Sequence, residues 1–198
     1  MTFIKKVKNF LKRKPAPSFL VALVLSIRWR CRVSLGSDIN YPWNLTIGRG
    51  VSIGKCLIIA SGKGVRIGSN VTIAYGCVLD ALGGYIDIDD HSAIGPYVVV
   101  YGQGGIQIGK YNMIATHSTV VASSHIYSDV NTPVKLQGTK AEGIITGNDV
   151  WIGANAVIQD GVTLNDGVIV GSGSVVRSSF SAYSTVAGVP AKVISTRK

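Results

Sequence analysis

The chain has 198 residues, enough for one domain of ordinary size or a long repeat array and too few for two large catalytic domains. Twenty Lys and Arg against ten Asp and Glu give a formal net charge of +10. Nine of those cations fall in Met1 to Arg32, which holds no carboxylate, so the charge describes a basic N-terminal arm on a nearly neutral body and argues against a nucleic-acid groove along it.

The arm comes first in the chain. Phe3, Ile4, Val7, Phe10 and Leu11 recur at helical spacing among Lys5, Lys6, Lys8, Lys12 and Arg13, and Pro15 and Pro17 end the run. Such a pattern predicts an interfacial helix; the alternative is a solvated or subunit-packing arm. The next apolar stretch, Phe19 to Ile27, has nine residues, whereas a bilayer span needs about twenty. Arg28, Arg30 and Arg32 follow it with no small-residue cleavage site, which argues against a signal peptide. Cys31, Cys56 and Cys77 are odd in number and without paired spacing, so neither a disulfide framework nor a zinc site is expected and a reducing compartment fits. The expectation is a cytoplasmic chain with a basic, helical arm over residues 1–40 that contacts the inner membrane surface through residues 1–32.

The body, residues 41–198, repeats with a period of six. From Thr146 it reads TGNDVW, IGANAV, IQDGVT, LNDGVI and VGSGSV, and earlier IGRGVS, IGSNVT, IDDHSA, IGPYVV, IGKYNM and IATHST. Neither helical spacing nor simple alternation produces this pattern. One inward apolar side chain followed by a small residue suits a short strand and a tight corner, and three such units close a triangular coil of about eighteen residues. The leaders Ile47, Ile67, Ile88 and Ile108 are spaced by eighteen plus two or three residues, which places a short insert at one corner. From Ile108 to Thr146 the interval holds two coils' worth of chain, so one coil ejects a loop of about twenty residues, placed at about 126–145.

At this point the chain resembles the left-handed parallel β-helix acyltransferases of the hexapeptide-repeat superfamily, over about Leu45 to Thr196. Beyond the hexads, the resemblance rests on Asp149 to Gly153 (DVWIG), the ejected loop preceded by a histidine, and Ala187 to Ile194 (AGVPAKVI). These motifs are similar to those of sugar O-acetyltransferases related to the maltose, galactoside and streptogramin enzymes and to those acting on bacterial surface polysaccharides. The left hand comes from the resemblance alone.

Transfer of an acyl group from a thioester to a hydroxyl needs one base, and a neutral imidazole suits it. His91 and His117 fall at the fourth position of their hexads, a corner. Continuing the hexads through Ile108, Ile114, Val120 and Ile126 places His125 just before an inward leader, with its ring outward at the loop root. The resemblance makes His125 the catalytic base. Zinc held by all three histidines, as in carbonic anhydrases of this fold, is weighed and set aside, because His117 and His125 differ in register.

For the group that orients the base, Gln103, Asp129 and Glu142 are the candidates. The resemblance further implies acetyl-CoA as co-substrate in a groove between prisms. Trp151 is expected against the thiol end, Gly153 and the Ala154 amide at the thioester oxygen, Gly171 and Ser172 along the pantetheine, and Arg177 and Lys192 near the phosphates. A homotrimer with His125 and the groove on different chains is implied as well. The expected reaction is O-acetylation of a sugar hydroxyl in capsule, exopolysaccharide or lipopolysaccharide assembly, with N-acetylation of an amino-sugar as the rival and a non-catalytic solenoid as the third reading.

Overall fold

A computed structural model describes residues 16–198. The helix expected over Phe3 to Leu11 lies outside the described residues. From Arg32 onward the chain winds as a parallel β-solenoid whose three faces are sheets of short strands. Sheet A has nine strands and runs from Arg32–Val33 to Ser184–Gly188, closed by the antiparallel Ala191–Thr196. Sheet B has seven, from Asp38–Asn40 to Val175–Val176, and sheet C has six, from Leu45–Ile47 to Thr163–Leu164.

The hexad leaders stack as the spacing requires. Ile47, Ile67, Ile88, Ile108, Thr146 and Leu164 are successive register partners on sheet C, all buried. Parallel strands that turn alternate residues inward leave a continuous apolar ladder, and the ladder is the core. The inserts fall between sheets B and C. Gly62 turns this corner with φ +63°, and a Cβ there would collide with the Gly83 carbonyl of the next coil.

Thr146 is the one polar leader in this column. Its Oγ1 accepts from the Asn112 side-chain amide at 3.1 Å, and Asn112 also donates to the Gly109 and Gly147 carbonyls, each at 2.8 Å. Asn112 Oδ1 accepts from the Val150 amide at 2.7 Å, so this buried side chain is satisfied on every side. It ties coils that the ejected loop separates by more than thirty residues of chain.

At the other end, the helix Ser18–Trp29 packs on Arg32–Val33 and Asp38–Asn40 through Val21, Ala22 and Leu25. Among the described residues the first coil has no coil beneath it, and this face covers its apolar end at Val33 and Ile39. Coil pairing therefore begins at residue 32, inside the span assigned above to the arm.

The loop departs earlier than the hexad count places it. The chain leaves sheet B after Val121, and Ser124–His125 pairs antiparallel with Thr139–Lys140 as a two-stranded ribbon. The place next to Ile106–Ile108 is taken by Ile144–Thr146, so Ile126 is not an inward leader and is 39% exposed. Counting hexads forward continues a coil that the backbone has already left.

Candidate active site

The ribbon, the upper coils of sheet B and the closing hairpin enclose a groove of about 650 Å³. Its floor is outward residues of successive coils: Val157 pairs with Val175, and the register continues through Gln159 to Arg177. Ser123, Ser124, Tyr127 and Lys140 of the ribbon form one wall, and Val189 and Pro190 of the hairpin turn form the other. A volume of this size accommodates a small organic ligand. The ribbon is fastened at its return limb, where the Asp160 carboxylate accepts from the Glu142 and Gly143 amides at 2.9 Å each.

His125 is exposed on the ribbon, directly opposite Thr139. Ser124 and Lys140, opposite one another on the ribbon, line the groove, and His125 and Thr139 do not. Cross-strand partners share a face, which puts Thr139 beside the imidazole. Thr139 Oγ1 in turn accepts from Gln103 Nε2 at 3.2 Å, reaching from a corner of the coil below. Among the described residues, no hydrogen bond reaches the His125 ring.

Of the three candidates for orienting His125, the structure brings Gln103 to its face of the ribbon. Asp129 sits at the loop tip, its carboxylate accepting from Thr132 Oγ1 at 2.6 Å and from the Asn131 amide at 2.9 Å. The Thr132 hydroxyl, and after it the Asn131 amide, hold the Asp129 carboxyl below the usual carboxylate range. Glu142 pairs with Lys140 at 3.3 Å on the surface.

The expected coenzyme residues divide among three places. Gly153, Ala154, Gly171 and Ser172 stack on consecutive coils at the corner between sheets A and B, where the Gly173 amide donates to the Ala154 carbonyl at 2.8 Å. Lys192 lies opposite Ala187, and a Cβ at Gly171 would come 3.0 Å from Ala187 Cβ, so this lysine borders the same corner. Arg177 lines the groove on sheet B. Trp151 is 46% exposed on sheet A between Met113 and Ile169, one face away from the groove.

The corner has a useful property. Nothing among the described residues accepts from the Ala154 amide, and the equivalent amides of Thr116 and Ser172 are equally free. One coil lower the same place is Pro96, which has no N–H to leave unsatisfied. The repeat thus presents an unpaired N–H at this corner on the coils of Thr116, Ala154 and Ser172.

His91 and His117 occupy corners with φ +62° and +59°. His91 stacks on Tyr111 and His117 on Tyr97, with ring centroids 4.9 and 5.1 Å apart. The three histidines stand at three separate places, and no group of three or more His, Cys, Asp and Glu among the described residues is arranged to hold a metal.

Comparison with known proteins gives this geometry its context. The family described as bacterial transferase hexapeptide (six repeats) matches residues 143–178. The chain is 30% identical over 157 residues to dTDP-4-amino-4,6-dideoxy-D-glucose acyltransferase of Escherichia coli, covering 77% of this chain and 82% of the relative. The chain belongs to the hexapeptide-repeat acyltransferases. A further relative of this transferase is WbbJ of Escherichia coli K12, named for O-acetyl transfer in lipopolysaccharide biosynthesis. It is 31% identical over 133 residues, covering 63% of this chain and 68% of WbbJ. Among solved structures, a mutant of AntD, an N-acyltransferase from Bacillus cereus bound to dTDP-4-amino-4,6-dideoxyglucose and coenzyme A, superposes with a TM-score of 0.64. It is 27% identical, with 89% of this chain and 88% of AntD covered. The fold of this hexapeptide acyltransferase is accordingly the left-handed parallel β-helix of its family.

The groove walls at Ser123, Ser124, Tyr127, Lys140, Gln159 and Asp160 were not among the sequence candidates. The eighteen-residue step from Gln159 to Arg177 is a signal that finds part of the floor; the ribbon wall has none, because it leaves the repeat.

Proposed function

We propose that the protein transfers acetyl from acetyl-CoA to a sugar hydroxyl in the assembly of a bacterial surface polysaccharide, with His125 as general base. The acceptor O–H gives its proton to the imidazole as its oxygen attacks the thioester carbonyl. The free Ala154 amide donates to the resulting oxyanion. Collapse breaks the C–S bond, and the coenzyme thiolate leaves with the proton returned from the imidazolium. Gly153, Gly171 and Ser172 flank the pantetheine path, Trp151 lies toward the thiol end, and Arg177 and Lys192 supply cations for the phosphates.

The observation that carries this reading is that one chain holds an exposed imidazole on its ribbon and, against the same ribbon, a groove that the imidazole does not line. The two complete a site when the groove of one copy faces the His125 of the next, as a homotrimer would arrange. The cysteines, all three unpaired and buried, fit a cytoplasmic protein, and the basic arm fits contact with the inner membrane surface.

N-acylation of an amino-sugar is the second reading, favoured by the likeness to the amino-sugar acyltransferase and to AntD. Release of coenzyme A thiol across paired hydroxyl- and amino-sugar acceptors separates the two. Turnover with a hydroxyl acceptor, reduced at least about a hundredfold in His125→Ala with coenzyme affinity kept, is the expected result. Turnover restricted to amines, or undiminished in His125→Ala, would overturn it.

A further inference from the structure

The helix Ser18–Trp29 has two apolar faces, and the core accounts for one. At about 100° per residue, the buried Val21, Ala22 and Leu25 centre on a direction roughly opposite that of Phe19, Leu20, Leu23, Val24 and Ile27. The second set is exposed, Val24 at 59% and Ile27 at 71%. Beside it, Leu20, Val24 and Arg28 line a shallow apolar groove of about 460 Å³ with Pro42 and Trp43. Trp43 is 53% exposed. Apolar residues in such number, with an exposed Trp at their margin, are uncommon on a surface meant only for water.

Charge identifies the occupant. Residues 1–37 contain nine Lys and Arg and no carboxylate, and Arg28, Arg30 and Arg32 bracket the C-terminal end of the exposed stripe. We propose that this outer face of the helix docks on an anionic lipid bilayer, lying in the interface. None of the described helices is long and apolar enough to cross a membrane, and a twelve-residue helix is about 18 Å long, suited to lying flat. The opposite face caps the first coil, so the solenoid stands on the membrane by its N-terminal end. Val157–Ile158, at the groove floor, is five strands farther along sheet B than Asp38–Asn40, about 24 Å at the usual strand spacing. The catalytic groove is thereby held well above the lipid headgroups.

Full-length protein is tested by co-sedimentation with vesicles of phosphatidylcholine alone and of phosphatidylcholine with phosphatidylglycerol. The comparison variant is Leu23→Asp/Val24→Asp/Ile27→Asp, with Ile27→Asp alone as the milder probe should the triple change disturb folding by circular dichroism. Wild type is expected to partition at least about tenfold more onto the anionic vesicles than onto the neutral ones. The triple variant is expected to lose at least about tenfold of that binding, and Ile27→Asp a smaller share. Absence of binding by wild type, or equal binding by the variants, overturns the proposal. So does a variant whose assembly falls apart by light scattering, since the face would then be a contact between copies of the chain. Vesicle binding needs no turnover, so this result is independent of the assigned reaction.

Discussion

At the scale of single residues, the ribbon carries its own logic of positioning. Gln103 touches Thr139 rather than His125, so its effect on the base passes through the strand opposite. Thr139→Val removes the acceptor while keeping the shape, and is expected to lower kcat by about tenfold with little change in KM for acetyl-CoA, a split that steady-state kinetics reads directly. Gln103→Ala should reproduce that loss, and the double variant should lose no more than either single change, because both remove the same bond. The Asp129 carboxyl behaves differently. Its folded-state pKa is depressed, so the ordering it gives the loop tip is present above the unfolded value near 4 and lost as pH falls through the lower folded value. Thr132→Val takes away the principal cause, and the Asp129 titration followed by NMR is expected to move up toward the ordinary range.

At the scale of elements, the repeat and the presence of an ejected loop were legible, and the point where the loop leaves the repeat was not. Leaders such as Ile67 and Ile88 each face inward, so the pattern of the core is written directly in the residue order. The exit of the loop depends on an antiparallel pairing between Ser124–His125 and Thr139–Lys140, and pairing across fourteen or more residues leaves no periodic trace. For the same reason Thr146 reads as an imperfect leader until Asn112 is seen beside it. The candidate site divides along this line: the corner residues Gly153, Ala154, Gly171 and Ser172 fall together because they keep register, while the ribbon wall was hidden. Asn112 allows a test of how much the polar latch contributes. Asn112→Ala strands the Val150 amide and the Gly147 carbonyl, while the Gly109 carbonyl keeps Ser92 Oγ and Thr146 Oγ1 keeps the Gly109 amide, at a cost of about 3 kcal/mol. A melting temperature lower by roughly 6–12 °C is expected for a chain of this size. A shift under about 2 °C would mean that water replaces the side chain at little cost.

At the scale of the whole molecule, the decisive feature is that His125 does not line the groove its own chain forms. On the proposed reading, one copy holds both halves of a site without bringing them together, and rotation about a symmetry axis is the simplest way to pair them. The arrangement is open to complementation. Neither His125→Ala nor Arg177→Ala alone should sustain wild-type turnover, the first for want of a base and the second for want of a phosphate cation. In mixed assemblies formed by co-expression, the proposed arrangement gives each active site its base from one chain and its groove from another. With equal and random mixing, about a quarter of the sites unite an intact His125 with an intact Arg177, so the purified mixture is expected to recover about a quarter of wild-type activity. Sites contained within one chain would never recombine the two, and the mixture would then show only the average of the parent variants.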